Sequence, residues 1–108
     1  MHAILGAIGS RPGIRLMRQN VGVAVPLSQA CRDCKTRAIR FGVVGQADLM
    51  GLIAPHGRAL AIEVKSASGR QTEEQARFEA MWTKHGGLYV LARSVSDAEA
   101  AVAAGETP

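Results

Sequence analysis

Residues 60–65 read Leu-Ala-Ile-Glu-Val-Lys and alternate cleanly between the two faces of a strand. The three larger apolar side chains fall on one face, and Glu63 and Lys65 stand side by side on the other. A carboxylate and an ammonium on an otherwise apolar strand are costly to remove from water, so each needs a partner or a purpose. The pattern therefore allows two interpretations, an exposed ion pair on a solvated sheet face or a functional site.

Turn, capping and periodicity signals place the other elements around this strand. A short helix is predicted over residues 2–8, and strands are predicted over residues 14–20, 22–27, 36–41, 48–53, 59–65 and 88–92. Thr72 and Gln75 have the form of a capping box that begins a longer helix, which ends at Gly86, and Ser96 begins a last helix in the same way. A helix that joins two strands requires a crossover, so we expect an α/β fold with a mixed central sheet flanked by helices.

Length and composition restrict the class of protein. The 108 residues allow one domain over residues 1–108, and two cysteines in a chain that is 47% hydrophobic exclude a disulfide-dense secreted scaffold. The uncharged apolar runs are far shorter than a membrane span. We therefore expect a soluble, intracellular and cytoplasmic domain without a membrane partner.

The charge is distributed unevenly along the chain. Up to Ala47 there are seven basic side chains and one acidic one, a net +6, whereas from Asp48 onward the net charge is −2. Ten of the 13 cations are arginine, which suits bidentate contact with phosphate. This asymmetry favours a polyanionic partner for the first half, and a basic surface that only aids solubility is the alternative.

Asp48 gives the Glu63 strand a chemical context. If the hairpin between the two strands turns near His56 and Gly57, Asp48 falls opposite Lys65, with Glu63 as its diagonal neighbour. Two carboxylates and a lysine at one strand end make an oxygen-rich site that suits Mg²⁺ or Mn²⁺. Such an ion neutralises a phosphate and activates a water, while Lys65 orients that water or stabilises phosphoryl charge.

Several motifs together resemble one nuclease family. Residues 42–48 read Gly-x-x-Gly-Gln-x-Asp, residues 62–65 read Ile-Glu-Val-Lys, and residues 69–75 read Gly-Arg-Gln-Thr-Glu-Glu-Gln. Residues 18–22 and 86–90 add an Arg-Gln-Asn-Val-Gly segment and a Gly-Gly-Leu-Tyr-Val strand. In this order the motifs resemble the VRR-NUC (virus-type replication-repair nuclease) group of the PD-(D/E)xK nuclease superfamily.

The resemblance implies a restriction-endonuclease-like core and a set of site residues. Asp48 and Glu63 match the metal-binding acids, the main-chain carbonyl of Val64 completes the metal ligands, Lys65 matches the catalytic lysine, and Gln75 matches the glutamine near the active site. The implied activity is that of a Mg²⁺- or Mn²⁺-dependent deoxyribonuclease in DNA repair, acting as a homodimer on branched host or phage DNA like a Holliday-junction resolvase. We expect the DNA contacts to come from Arg18, Asn20, Arg37, Arg40 and Arg70.

The chain departs from the family pattern in one respect. Family members carry a glutamate on the N-terminal helix, upstream of the segment that matches residues 4–8. Here the first acidic side chain is Asp33. The alternative function is therefore a DNA-structure-binding module in which catalysis is weakened or lost.

Cys31 and Cys34 have the spacing of half a zinc site. The chain has no second cysteine pair, and its three histidines are scattered. We therefore interpret the two thiols as structural or incidental, and a zinc-stabilised adaptor stays a third possibility.

Overall fold

The computed structural model describes residues 1–19, 22–24, 39–41 and 43–105, with the backbone alone for 22–24 and 39–41. Its elements follow in the order α1 (His2–Gly9), β1 (Ile14–Arg18), β2 (Gly22–Ala24), β3 (Ile39–Phe41), β4 (Leu49–Ile53), β5 (Arg58–Val64), α2 (Glu73–Lys84), β6 (Leu88–Ala92) and α3 (Val95–Gly105). This is a small α/β fold, as the sequence predicts.

Four strands form a mixed sheet in the order β1-β4-β5-β6. β1, β4 and β5 are antiparallel neighbours, and β6 lies parallel to β5 because α2 carries the chain across between them. β2 and β3 pair separately and antiparallel, with Gly22 opposite Phe41. The predicted pairing of these two strands is confirmed, while residues 25–27 and 36–38 of the predicted strands lie outside the described residues.

Helices cover both faces of the four-stranded sheet. One face packs against α1 and α3 around a main core that includes Ile8, Leu60, Ile62 and Val102. The other face packs against α2 in a smaller cluster built on Ala47, Ala61 and Phe78. The alternation predicted for residues 60–65 is confirmed, because Leu60 and Ile62 belong to the first core and Ala61 to the second.

The last helix begins earlier than predicted. Its cap is Ser94, whose hydroxyl accepts the N–H of Asp97 at 3.1 Å, and not Ser96. Starting the helix at Val95 brings that side chain onto the same face as the buried Ala98 and Val102. Ser94 and Ser96 are both suitable caps, and the helix begins after Ser94 because this start also packs Val95 against the core.

No helix in the described part of the chain is long and apolar enough to span a membrane.

Arg58 joins the ends of two helices. Its Nε donates to the carbonyl of Gly86 after α2 at 3.2 Å, and its Nη1 donates to the carbonyl of Gly105 at the end of α3 at 3.0 Å. A cation at the carboxyl end of a helix satisfies free carbonyls and opposes the negative end of the helix dipole.

We expect Arg58→Ala to lower the free energy of unfolding by about 1 kcal/mol, because two helix ends lose a charged donor. Arg77→Ala is the matched control, since Arg77 pairs only with Glu73 on the exposed face of α2 and should cost about 0.5 kcal/mol or less. Urea denaturation of both variants measures the difference. Equal midpoints for the two variants would contradict this role of Arg58.

Candidate metal and phosphate site

The β4–β5 hairpin brings the two acids together. Leu49 pairs with Ile62, and the same register extended by one residue places Asp48 opposite Glu63. The prediction that Asp48 lies opposite Lys65 is wrong. The loop closes through the Gly57 N–H bonded to the Ile53 carbonyl at 2.9 Å, so the turn is centred one residue earlier than predicted. The observed partner of Asp48 differs from the predicted one by two residues. Because side chains alternate between the faces of a strand, a difference of two leaves both acids on the α2 face of the sheet.

Glu63 is a buried carboxylate with only one of its oxygens partnered. The residue is 2% exposed. Its Oε1 accepts a hydrogen bond from Gln75 Nε2 at 2.8 Å and lies 3.5 Å from Lys65 Nζ. Its Oε2 is buried and has no hydrogen-bond partner among the residues that the structure describes. The interpretation of Glu63 and Lys65 as an exposed ion pair is therefore wrong.

The surroundings of Glu63 make its negative charge costly. Burial, and then the neighbouring Asp48 carboxylate, raise the pKa of Glu63 from 4.5 to about 7, although Lys65 opposes the shift. Near neutral pH this carboxyl group therefore takes up a proton readily, or binds a cation that replaces the proton. Such a cation would compensate Glu63 Oε2, which has no hydrogen-bond partner among the described residues, in a carboxyl group close to that of Asp48.

Asp48 is held by the backbone of the neighbouring strand. Its Oδ2 accepts the Val64 N–H at 2.9 Å. Lys65 N–H donates to Ala92 on the opposite side of β5, so the backbone groups of Val64 face the Asp48 side. The Val64 carbonyl is thus directed toward the side of the strand where the two acids meet. Asp48, Glu63 and this carbonyl form an all-oxygen donor set that fits Mg²⁺ or Mn²⁺.

Gln75 serves the helix and the site with different atoms. The backbone N–H of Gln75 donates to Thr72 Oγ1 at 3.1 Å, and Gln75 Oε1 accepts the Thr72 N–H at 2.8 Å. The predicted capping box is therefore confirmed. The remaining amide group, Nε2, is the donor to Glu63. The cap fixes the rotamer of Gln75 and so fixes the direction from which Glu63 receives its hydrogen bond.

Gly45 lets the turn before Asp48 approach the start of α2. Its φ of +83° is a left-handed conformation, and a Cβ added there would lie 2.3 Å from the Glu74 carbonyl oxygen. Gln46 closes the same turn by accepting the Val43 N–H at 2.9 Å. The turn and the helix terminus thus contact backbone to backbone, which brings Asp48 and Gln75 to one place.

A cleft of about 380 Å³ opens beside Asp48, and its lining does not include Glu63 or Lys65. Asp48 and Gln75 line it together with Arg18, which ends β1, and Glu74. Arg70 is exposed in the loop between β5 and α2. Asn20 and Arg37 lie outside the described residues, as do Cys31 and Cys34, and Arg40 is described only by its backbone in β3.

Two polar residues of this region were not predicted from the sequence. Glu74 lines the cleft, and the only signal for it was its place in the first turn of α2. Tyr89 accompanies Ala61 on the α2 face by the parallel register, and Gln71 Nε2 lies 3.4 Å from its hydroxyl. Burial, helped by the charge of Glu63, raises the pKa of Tyr89, although the hydrogen bond from Gln71 opposes that shift. The pairing register of β6 with β5 would have placed Tyr89 on the α2 face, but the sequence of β6 shows no periodicity that predicts this position.

Comparison with protein-family models and with curated proteins gives no match to this chain. Within the described residues, no group of three or more histidine, cysteine, aspartate or glutamate side chains has the geometry of a metal site.

We expect Gly45→Ala to lower the free energy of unfolding by about 2 to 4 kcal/mol, from the left-handed backbone and the clash with Glu74. Gly57 is the matched control, because its φ is +72° but a Cβ there would meet nothing within 4 Å. Gly57→Ala should cost about 1 kcal/mol from the backbone alone. Thermal and urea unfolding measure both, and equal losses would contradict the close approach at Gly45.

We expect the metal-free protein to lose stability as the pH rises through the titration of Glu63. The folded state binds this proton more tightly than the unfolded chain, so its contribution is complete below pH 4.5 and is lost by about pH 7. The expected loss is about 3 kcal/mol. Urea unfolding in EDTA across this range measures it.

Glu63→Gln should flatten that part of the profile, because the amide cannot ionise. Glu99→Gln, on the exposed face of α3, is the control and should leave the profile unchanged. A profile that keeps its slope in Glu63→Gln would show that another group is responsible.

Proposed function

We propose that this chain is a metal-dependent DNA endonuclease with a restriction-endonuclease-like, PD-(D/E)xK core of the VRR-NUC type. The observation that carries the proposal is the buried Glu63 carboxylate near Asp48: Lys65 and Gln75 contact its Oε1, and its Oε2 has no hydrogen-bond partner among the described residues. Glu63 and Lys65 belong to the motif Ile62-Glu63-Val64-Lys65, which resembles that of the family.

The residues present fit a divalent cation. Asp48, Glu63 and the Val64 carbonyl would hold Mg²⁺ or Mn²⁺, both of which prefer oxygen ligands. When bound, the ion neutralises phosphate charge and lowers the pKa of a water. It also removes the electrostatic penalty on Glu63, because it replaces the proton that burial and Asp48 otherwise favour.

Lys65 supplies a positive charge beside Glu63, and its side chain is 16% exposed. It would orient the attacking water or stabilise the charge that develops on the phosphoryl oxygens. Gln75 would act through Glu63, as a positioning residue that keeps Oε1 occupied and leaves Oε2 for the ion.

The surrounding charge supports a nucleic-acid backbone as the ligand. Arg18 lines the same cleft as Asp48, and Arg70 is exposed on the loop that follows Lys65. We propose that these two contact phosphates, together with Asn20, Arg37 and Arg40 of the basic first half. Such contacts are salt-sensitive and largely independent of sequence.

A homodimer acting on branched DNA completes the proposal. One domain of 108 residues offers little surface for a four-way junction. Two copies related by a two-fold axis would present two sites to two strands of matching symmetry.

A second candidate is a DNA-structure-binding module with weakened catalysis. In the described residues no third acidic side chain joins Asp48 and Glu63 in a group that could hold a metal ion, and this favours it. The two candidates share the DNA surface and differ in whether the acids hold a catalytic ion.

We expect the wild-type protein to cleave four-way or flap DNA with Mg²⁺ or Mn²⁺ and not with EDTA. Glu63→Gln should lower the rate by about 100-fold or more, because the charge that holds the ion is lost while the shape is kept. Gel assays with labelled linear, flap and four-way substrates measure the rate, and Glu99→Gln is the control. A Glu63→Gln variant that cuts as fast as the parent would contradict the proposal.

Binding separates the two candidates. Glu63→Gln should keep the DNA affinity of the parent in EDTA, measured by fluorescence anisotropy, since Glu63 is buried and contacts no phosphate. Junction binding by the parent without any Mn²⁺-dependent nicking would support the binding module and exclude the nuclease.

A further inference from the structure

Arg93 holds the loop that follows Lys65. It comes directly after β6, and its Nη1 lies 2.6 Å from the Ser66 carbonyl, 2.6 Å from the Gly69 carbonyl and 3.5 Å from the Ala67 carbonyl. The Arg93 guanidinium thus donates to several backbone carbonyls of the four-residue loop from Ser66 to Gly69. A charged donor makes stronger hydrogen bonds than a neutral one, and these are short.

The loop begins at the residue after Lys65 and folds back beside it. Gly69 N–H donates to Ser66 Oγ at 3.0 Å and to the Ser66 carbonyl at 3.2 Å, which folds the loop back on itself. A Cβ built at Gly69 would lie 3.6 Å from Lys65 Cβ. Opening of this loop would therefore change the backbone that directly follows Lys65.

Arg93 is itself anchored at the start of α3. Its backbone N–H donates to Asp97 Oδ2 at 3.1 Å, and the Asp97 N–H donates to Ser94 Oγ at 3.1 Å. The guanidinium therefore extends from a fixed helix terminus to the loop. This path connects α3, on one side of the sheet, to Lys65, whose side chain lies on the other.

We propose that Arg93 is a positioning residue for the reaction, and that it acts through the Ser66–Gly69 loop to keep the Lys65 ammonium beside Glu63. This inference rests on the proposed nuclease function. Because its Nη1 is engaged with backbone carbonyls, Arg93 differs in role from Arg18 and Arg70, which we assign to phosphate contact. No short motif around Arg93 indicates this role, since its partners lie 24 or more residues away in the chain.

Arg93→Met removes the donors and keeps much of the stem. We expect it to lower the single-turnover cleavage rate by about 10-fold to 100-fold, because small misplacement of a catalytic group has effects of this size. The DNA dissociation constant in EDTA should stay within about 3-fold of the parent, because the loop and not the DNA is the partner of Arg93. Arg93→Lys, which keeps a cation with three donors, should recover most of the lost rate.

A double-mutant cycle tests whether the effect runs through Lys65. In a Lys65→Ala background, Arg93→Met should change the residual rate by less than about 2-fold, since the group that it positions is gone. Arg77→Met is the control for loss of an exposed arginine and should leave the parent rate unchanged. An equal rate loss in both backgrounds, or a loss of DNA affinity at unchanged rate, would overturn the proposal.

Hydrogen exchange tests the loop without any reference to catalysis. The Gly69 amide should exchange about 10-fold faster in Arg93→Met than in the parent or in Arg77→Met, because its hydrogen bond is lost when the loop opens. Unchanged exchange at Gly69 would refute the role of Arg93 even if cleavage is confirmed. A parent that cleaves no DNA would instead refute the proposed function, and the exchange result would still decide whether Arg93 holds the loop.

Discussion

The arrangement of the site depends on one buried carboxylate. Glu63 lies between the sheet and α2 at 2% exposure, with Gln75 and Lys65 on one oxygen and no partner on the other. A buried charge requires both compensation and rigid geometry, since a small displacement leaves it uncompensated. The capping box, the close approach at Gly45 and the Asp48–Val64 hydrogen bond each restrict one of the groups around it.

α2 contacts the strands through a small apolar cluster and through the backbone at its N-terminus. The core on its side of the sheet is small and is built on Ala47, Ala61 and Phe78. The N-terminus of the helix is fixed instead by the Thr72 cap and by the turn at Gly45. Hydrogen bonds from Gln75 to Thr72 and Glu63 hold that part of the polar lining of the cleft in place.

Short sequence patterns predicted the helices and strands well. They predicted the pairing and packing of those elements less well. The capping box at Thr72 was predictable because all of its atoms lie within four residues. The partner of Asp48 was predicted two positions away, because hairpin register depends on a turn whose exact centre is not encoded in the alternation. The cap of α3 was misplaced because Ser94 and Ser96 are equally suitable until packing of Val95 decides between them. Burial of Glu63 could not be predicted, because strand alternation defines faces but does not say which face a helix covers.

The cost of the Glu63 charge also bears on what the site is for. A protonated or apolar residue at this position would satisfy the fold better at neutral pH, since burial and Asp48 both raise the pKa of Glu63. Lys65 offsets part of this cost but contacts only the oxygen that Gln75 already occupies. A purely structural ion pair would place the ammonium where the uncompensated oxygen is. Among the described residues Oε2 has no hydrogen-bond partner although the Asp48 carboxylate is close enough to raise the pKa of Glu63, and this uncompensated oxygen is the observation on which we base the proposal of a bound cation.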